Sequence, residues 1–197
     1  MTLLALDQSL TNTLYDLTRS NPEWQRLIYA VATYLIFLIP LMLVWLATKP
    51  TTRLLAAKMF TGAIITWLVI NKLTGQFFYT QFNFRDRPFA LTGVKELLFE
   101  QPQKSFPSDH AAILLFVTLA LFYYRQRVWA WLFLAVTLIS SLARVMVGFH
   151  WVGDILGGWL VGLIGFGLVV WLDRPLTRIG QKIGRLLGIN LDEWVDS

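Results

Sequence analysis

Residues 152–172 read VGDILGGWLVGLIGFGLVVWL, and Asp154 is the one charged side chain in this run. A helix needs about 20 apolar residues to cross the hydrocarbon core of a bilayer, which is roughly 30 Å thick. The run therefore predicts a membrane-spanning helix. Small residues at a spacing of four favour close contact with neighbouring helices. The run contains two such pairs, Gly153 with Gly157 and Gly158 with Gly162.

Four other apolar segments precede this run. They cover about 27–47, about 54–79, about 108–124 and about 128–147, and a kink is expected at Pro40 in the first of them. Of the 197 residues, 56% are hydrophobic and 15% are charged, whereas about 25% are charged in a typical soluble domain. The sequence therefore predicts an all-α integral membrane protein, with a bundle of about five transmembrane helices.

Residues 1–26 differ from these segments because they mix leucines with charged side chains. We expect them to form an amphipathic helix that lies at the membrane interface. We also expect a single membrane-embedded domain over 1–197, divided into this interfacial segment, a transmembrane core over 27–172 and a cytoplasmic tail over 173–197.

The distribution of basic residues predicts the orientation of the bundle. Lysines and arginines concentrate near 49–58, 125–127 and 174–185, and the positive-inside rule assigns such loops to the cytoplasm. The remaining loops, 80–107 and 148–151, then lie on the outer side together with the N-terminal segment.

The composition argues against several classes of function. Cysteine is absent, which excludes a disulfide framework, a thiol nucleophile and a cysteine-based metal site. His110 and His150 are the two histidines, so a multi-histidine metal site is not expected. In a soluble protein the net charge of +5 would suggest nucleic acid as a partner. Here the basic residues flank apolar spans, and we predict no nucleic-acid partner.

Polar residues gather at three span ends, all on the predicted outer side. Polar side chains near the hydrocarbon core are costly, so they indicate a functional site. The three stretches are FRDRPF (84–89), SFPSDHA (105–111) and ARVMVGFHWVGD (143–154).

In the second stretch, Ser108 stands just before the third span, where serine is a favoured N-cap. The first turn of a helix has unpaired N–H groups and a partial positive charge, which suit a phosphate group. We expect Ser108 to cap this helix and to hydrogen-bond a bound oxyanion, with His110 in the first turn. The alternative is a plain cap next to a surface histidine.

In the third stretch, His150 and Asp154 are four residues apart, a spacing that puts both side chains on one face of a helix. A carboxylate bonded to one ring nitrogen fixes the tautomer and raises the basicity of the other nitrogen, as in a nucleophile with its orienting group. The alternative is an interfacial histidine paired with Asp154, while Arg144 extends towards water.

The first stretch contributes Arg85 and Arg87, whose guanidinium groups are suited to phosphate oxygens. The alternative is a solvated loop in which they pair with Asp86 or Glu100. Taken together, the three stretches favour phosphoryl transfer through a phosphohistidine, and no metal and no cofactor are predicted.

These residues resemble the three motifs of the type-2 phosphatidic acid phosphatase (PAP2) superfamily, which are Lys-x6-Arg-Pro, Pro-Ser-Gly-His and Ser-Arg-x5-His-x3-Asp. The matching positions are Arg87-Pro88, Pro107-Ser108-Asp109-His110, and Arg144 with His150 and Asp154. Three positions depart from the motifs: Thr80 replaces the lysine, Ala143 the serine, and Asp109 the glycine. The string Phe-Pro-Ser-Asp-His is similar to the bacterial undecaprenyl-diphosphatase branch, the bacitracin-resistance type.

The resemblance implies the fold of this superfamily, shared with vanadium haloperoxidases, and a role for each site residue. His150 attacks the terminal phosphorus, Asp154 orients it, and His110 protonates the leaving oxygen and then activates water. The implied phosphate-binding residues are Arg87, Ser108, Arg144, Asp109 and Arg85.

The implied activity is removal of the terminal phosphate of undecaprenyl diphosphate, which recycles the lipid carrier for cell-wall synthesis. The implied location is the bacterial inner membrane, with the active site on the periplasmic side. A phosphatase for phosphatidylglycerophosphate or phosphatidate, or a lipid phosphotransferase, would use the same chemistry. A transporter or scaffold that only binds lipid is the non-enzymatic alternative. The expected partners are a polyprenyl or phospholipid phosphate and membrane lipids, and the sequence leaves homo-oligomerisation open.

Overall fold

The computed structural model describes residues 2–82, 86–88 and 105–188. The helices in these ranges, in chain order, are α1 (Leu3–Arg19), α2 (Pro22–Thr48), α3 (Pro50–Phe82), α4 (Asp109–Tyr123), α5 (Arg127–Met146), α6 (Val152–Trp171) and α7 (Asp173–Leu186).

Four helices of the described ranges are long and apolar enough to cross a membrane: α2, α3, α5 and α6. Together with α4 they correspond to the five predicted spans, within a few residues at each end. The helix α4 is the exception in length, because its 15 residues extend only about 22 Å at 1.5 Å per residue. It lies in the middle of the bundle, where Leu114, Phe116 and Leu121 are fully buried.

Two helices contain a local departure from α geometry. In α2, residues Leu35–Phe37 form a 3₁₀ turn, because the ring of Pro40 conflicts with the carbonyl group four residues before it. The α geometry is thus interrupted one turn before Pro40, and the kink expected there stays a prediction. In α3, residues Ile65–Asn71 form a π-helical segment, a feature that is frequent at functional sites.

The end of the bundle that carries the 147–151 turn is covered by α1. Thr18 donates its hydroxyl hydrogen to the carbonyl oxygen of Met146 at 2.8 Å, at the end of α5. The first N–H groups of α6 donate to α1: Val152 N to Thr11 Oγ1 at 3.1 Å and Gly153 N to Asp7 Oδ1 at 2.9 Å. The polar face of α1 therefore caps two spanning helices.

The opposite end of the bundle is joined by a partly buried ion pair. Lys58 Nζ lies 2.7 Å from Asp173 Oδ1, and the hydroxyl of Tyr124 donates to the same oxygen. Residues 124 and 173 adjoin two of the basic loops that are predicted to face the cytoplasm. The helix α1 and the 147–151 turn belong to the segments predicted to lie on the outer side. The two predicted groups of loops thus lie at opposite ends.

Close packing of α4 against α6 depends on glycine. A Cβ atom at Gly158 would lie 2.6 Å from the carbonyl oxygen of Ser108, and one at Gly162 would lie 2.5 Å from that of Ala112. These are backbone atoms, which cannot move aside as a flexible side chain would. The close helix contact predicted from the small residues is confirmed for the pair Gly158 and Gly162.

We expect Gly158→Ala to lower the thermal unfolding temperature in detergent by several degrees, as overpacking commonly does. Activity should fall as well, because the clash displaces Ser108. Gly167→Ala is the matched control on the same helix, since a Cβ there meets no atom within 4 Å. Alanine is about 1 kcal/mol better than glycine inside a helix, so the control should be neutral or stabilising. Equal unfolding temperatures for Gly158→Ala and Gly167→Ala would contradict the close packing of α4 against α6.

Candidate active site

Side chains from the first and third polar stretches meet at the end of the bundle that α1 covers. Arg87 Nη1 and Arg144 Nη2 each lie 3.3 Å from Nε2 of His150. All three side chains are buried, with relative exposures of 4%, 1% and 2%. Residues that are up to 63 positions apart in the chain therefore share one small volume.

The turn between α5 and α6 positions His150. Gly148 adopts a φ of 76°, a conformation that glycine adopts at little cost. The N–H groups of Phe149 and His150 both point back to the carbonyl oxygen of Arg144, at 2.9 and 3.4 Å. His150 therefore precedes α6, and the expectation that it occupies one helix face with Asp154 is wrong in this detail. The turn nevertheless brings His150 Nδ1 to 3.5 Å from Asp154 Oδ2.

The surroundings of His150 select one tautomer. Guanidinium groups can only donate hydrogen bonds, so Nε2 accepts and the ring proton of neutral His150 resides on Nδ1, which faces Asp154. Burial and the positive charges of Arg87 and Arg144 hold the pKa of His150 well below its ordinary value. The imidazole is therefore neutral, with its lone pair on the nitrogen that faces the two arginines.

Asp154 links the second and third polar stretches. Its Oδ2 accepts a hydrogen bond from Trp151 N at 2.8 Å and another from the hydroxyl of Ser105. Its carbonyl oxygen accepts from Ser108 N at 3.0 Å. Ser105 contacts the site, but the sequence predicted no function for it. Its position just before Phe106-Pro107 was the one available signal, and no spacing rule connects it with Asp154.

Ser108 is the N-cap of α4 by position, but its side chain makes no capping hydrogen bond. The expectation that this hydroxyl caps the helix is therefore wrong. The side chain is fully buried, and Oγ has no hydrogen-bond partner among the described residues. Buried hydroxyls are normally hydrogen-bonded, so this one is suited to a ligand. The N–H groups of the first turn of α4 start from the same point.

His110 lies in the first turn of α4, as expected. The hydrogen bond from Ser108 N to the carbonyl oxygen of Asp154 holds the first turn of α4 next to the start of α6. The two histidines therefore lie at the same end of the bundle.

Asp109 is engaged by α3. Its Oδ1 accepts a hydrogen bond from Asn71 Nδ2, and its Oδ2 lies 3.3 Å from Lys72 Nζ. Thr80, at the position of the family lysine, donates its hydroxyl to the carbonyl oxygen of Gln76. Arg85 lies outside the described residues.

The described residues contain no cluster of three or more His, Asp or Glu side chains that could hold a metal ion. The cationic groups of the site are instead the guanidinium groups of Arg87 and Arg144. These donate in a planar fork that matches phosphate oxygens.

A multi-helix membrane fold and a buried, arginine-lined histidine define the class of this protein, and comparisons with known proteins give its family. The chain belongs to the PAP2 superfamily, whose family model matches residues 50–178. The resemblance seen in the motifs is thereby confirmed, and the family supports a phosphatase activity.

Two curated relatives cover most of the chain. The protein YbjG of Escherichia coli strain K12 is 29% identical and covers 95% of this chain and 91% of its own. Undecaprenyl-diphosphatase BcrC of Bacillus subtilis strain 168 is 30% identical, and the alignment covers 79% of this chain and 77% of BcrC. Among solved structures, the transmembrane PAP2-type phosphatidylglycerolphosphate phosphatase of Bacillus subtilis has a similar fold. Its TM-score is 0.65 at 20% identity, over 88% of this chain and 87% of that one.

Proposed function

We propose that this protein is a lipid phosphatase that removes the terminal phosphate of undecaprenyl diphosphate. One observation carries the proposal: both guanidinium groups lie 3.3 Å from Nε2 of His150, and a carboxylate faces the other ring nitrogen. These contacts place a histidine and its carboxylate partner beside two groups that can donate to phosphate oxygens. The name of the B. subtilis relative BcrC supports the choice of lipid.

The proposed reaction has two steps. An entering phosphate takes the guanidinium groups as donors to its oxygens, and Nε2 then faces phosphorus. The lone pair of His150 forms the P–N bond, the bond to the lipid monophosphate oxygen breaks, and His110 gives that oxygen a proton. Asp154 stabilises the positive ring through Nδ1–H. His110 next takes a proton from water, whose oxygen attacks phosphorus, and the P–N bond breaks to release inorganic phosphate.

The phosphate oxygens gain negative charge in both transition states. Arg87, Arg144 and the hydroxyl of Ser108 donate to them in our proposal, and such preorganised donors contribute strongly to catalysis. Arg85 is proposed as a further phosphate ligand. Asp109 is an acceptor, so we propose that it belongs to the phosphate site through Lys72, whose ammonium group balances its charge.

The experiment that tests this function is phosphate release by the purified protein in mixed micelles. We expect kcat/KM for undecaprenyl diphosphate to exceed that for phosphatidylglycerophosphate and for phosphatidate by about tenfold or more. A preference for either phospholipid would contradict the proposed substrate. Phosphate release equal to that of a His150→Ala preparation would contradict phosphatase activity itself and would favour a lipid-binding role.

Metal independence is a separate proposal. Because arginines supply the positive charge in the proposed site, we expect the initial rate to be unchanged after prolonged treatment with EDTA. A rate that is lost in EDTA and restored by a divalent cation would contradict it.

Lys72 is expected to matter through Asp109. In Lys72→Met the carboxylate loses its cation and repels the anionic substrate, so KM should rise by about threefold to tenfold. In the double variant Lys72→Met/Asp109→Asn the negative charge of the carboxylate is removed as well, so KM should return most of the way to the wild-type value. Lys182→Met, on α7 at the opposite end, is the control for a change of net charge. A double variant as impaired as the single one would contradict this role of the pair.

We also propose that the protein is a single domain in the bacterial inner membrane, with the active site on the periplasmic side and 173–197 in the cytoplasm. Because the chain has no cysteine, a single introduced cysteine reports on topology. Ser20→Cys should react with an impermeant maleimide in intact cells, and Thr51→Cys only after the inner membrane is permeabilised. The reverse pattern would overturn the orientation.

A further inference from the structure

An apolar groove of about 350 Å³ runs between α1 and α6. We call it the α1–α6 groove. Its walls are formed mainly by Leu3, Leu6 and Leu10 of α1, by Val152 and Leu156 of α6, and by Phe106. Its volume is within the range of pockets that hold small molecules, about 300–1,000 Å³.

The groove begins beside the candidate active site. Phe106 directly precedes Pro107-Ser108, and Gly153, which also lines the groove, directly precedes Asp154. The ring of Phe106 is held in place by Phe78, with ring centroids 5.0 Å apart, and by Gly157, where any Cβ atom would collide with it. Two residues of the groove lining are therefore within two positions of Ser108 and Asp154 in the chain.

The outer wall of the groove is fastened to the bundle by polar contacts. Asp7 and Thr11 accept hydrogen bonds from the first N–H groups of α6, so the polar side of α1 faces the bundle end. Leu3, Leu6 and Leu10 remain substantially exposed on α1. An exposed row of leucines next to a groove is unfavourable in water and is suited to hydrocarbon.

We propose that the α1–α6 groove binds the hydrocarbon segment next to the phosphate groups of the lipid substrate. The proposal rests on the proposed function, and it adds the place where the chain of the lipid lies. The charges support one direction of binding. Asp7 is the charged residue of the groove lining and disfavours a phosphate there, whereas Arg87 and Arg144 attract it at the other end.

Two leucines one turn apart on α6 give a matched test. Leu156 lines the groove and is 55% exposed, while Leu160 lies outside the groove lining and is 59% exposed. The substrates are undecaprenyl diphosphate and methyl diphosphate, which carries the same diphosphate on a single carbon and is too short to fill the groove. We expect Leu156→Trp to lower kcat/KM for the long lipid by about tenfold, mainly through KM, and to change that for the short substrate by less than about twofold. Leu160→Trp should change neither.

Equal effects of the two tryptophans on the long lipid, or equal loss on both substrates in Leu156→Trp, would overturn the groove proposal. If tryptophan at 156 prevents folding, Leu156→Ala replaces it, and a severalfold higher KM for the long lipid alone is expected. The wild-type rate separates the two proposals. If the wild type cleaves neither diphosphate, the proposed function is wrong. If the wild type is active but Leu156→Trp affects both substrates equally, only the groove proposal is wrong.

Discussion

His150→Ala is expected to reduce phosphate release from undecaprenyl diphosphate by at least about 10³-fold, because it removes the atom that forms the covalent intermediate. The side chains in contact with the ring of His150 cannot replace it as a nucleophile. The guanidinium groups of Arg87 and Arg144 only donate hydrogen bonds, and Asp154 lies behind the ring, on its Nδ1 side.

The variant should still fold, since both arginines keep partners other than the histidine. Arg87 donates to the carbonyl oxygen of Phe149 at 3.2 Å, and Arg144 to that of Ala32 at 3.0 Å. A thermal melting curve in detergent, compared with wild type, checks this point. Residual activity above about a hundredth of wild type would contradict a nucleophilic role, because one acid–base group alone contributes about 10²–10⁴-fold.

Asp154→Asn is expected to reduce kcat by about 10³–10⁴-fold, the size seen when the carboxylate partner of a catalytic histidine becomes an amide. The oxygen Oδ2 both accepts from Trp151 N and faces Nδ1 of His150. An amide oxygen in its place would preserve the start of α6, but it carries no full negative charge to stabilise the ring when the ring becomes positive. An amide NH₂ group in its place would disfavour the ring proton on Nδ1, so that the proton moves to Nε2 and blocks the attacking lone pair.

Steady-state kinetics separates this effect from a loss of binding. We expect kcat to fall in Asp154→Asn, while KM changes by less than about threefold. Ser105→Ala is the graded comparison, since it removes one hydrogen bond to the carboxylate and keeps the charge. It should reduce kcat by only about tenfold. An Asp154→Asn enzyme with kcat within tenfold of wild type would contradict the orienting role.

The proximity of Arg144, His150 and Asp154 was predictable from the sequence, because the three residues lie within positions 144–154 and Gly148 marks a tight turn between them. Arg87 was predicted from residue chemistry, since an arginine at a span end requires a partner or a function. Their convergence on His150 is a tertiary property that the resemblance implied and the fold produces.

Other features were beyond sequence reasoning for physical reasons. The sequence predicted an amphipathic helix at the interface for α1, but it did not predict that Asp7 and Thr11 accept hydrogen bonds from the start of α6, because only the packed structure reveals such contacts. Ser108 has the residue type and position of a side-chain cap. Nevertheless, its backbone N–H donates to the carbonyl oxygen of Asp154, and its hydroxyl makes no hydrogen bond to the described residues. The π-helical segment that presents Asn71 to Asp109 has no composition signal.

The most direct test of the phosphohistidine mechanism is to map the phosphorylated residue after wild-type enzyme turns over undecaprenyl diphosphate labelled with ³²P in its terminal phosphate and is quenched in base within milliseconds. We expect label on His150 that is stable in base and lost in acid, and no label on His150→Ala. Label on any other residue, or undiminished labelling of His150→Ala, would contradict it.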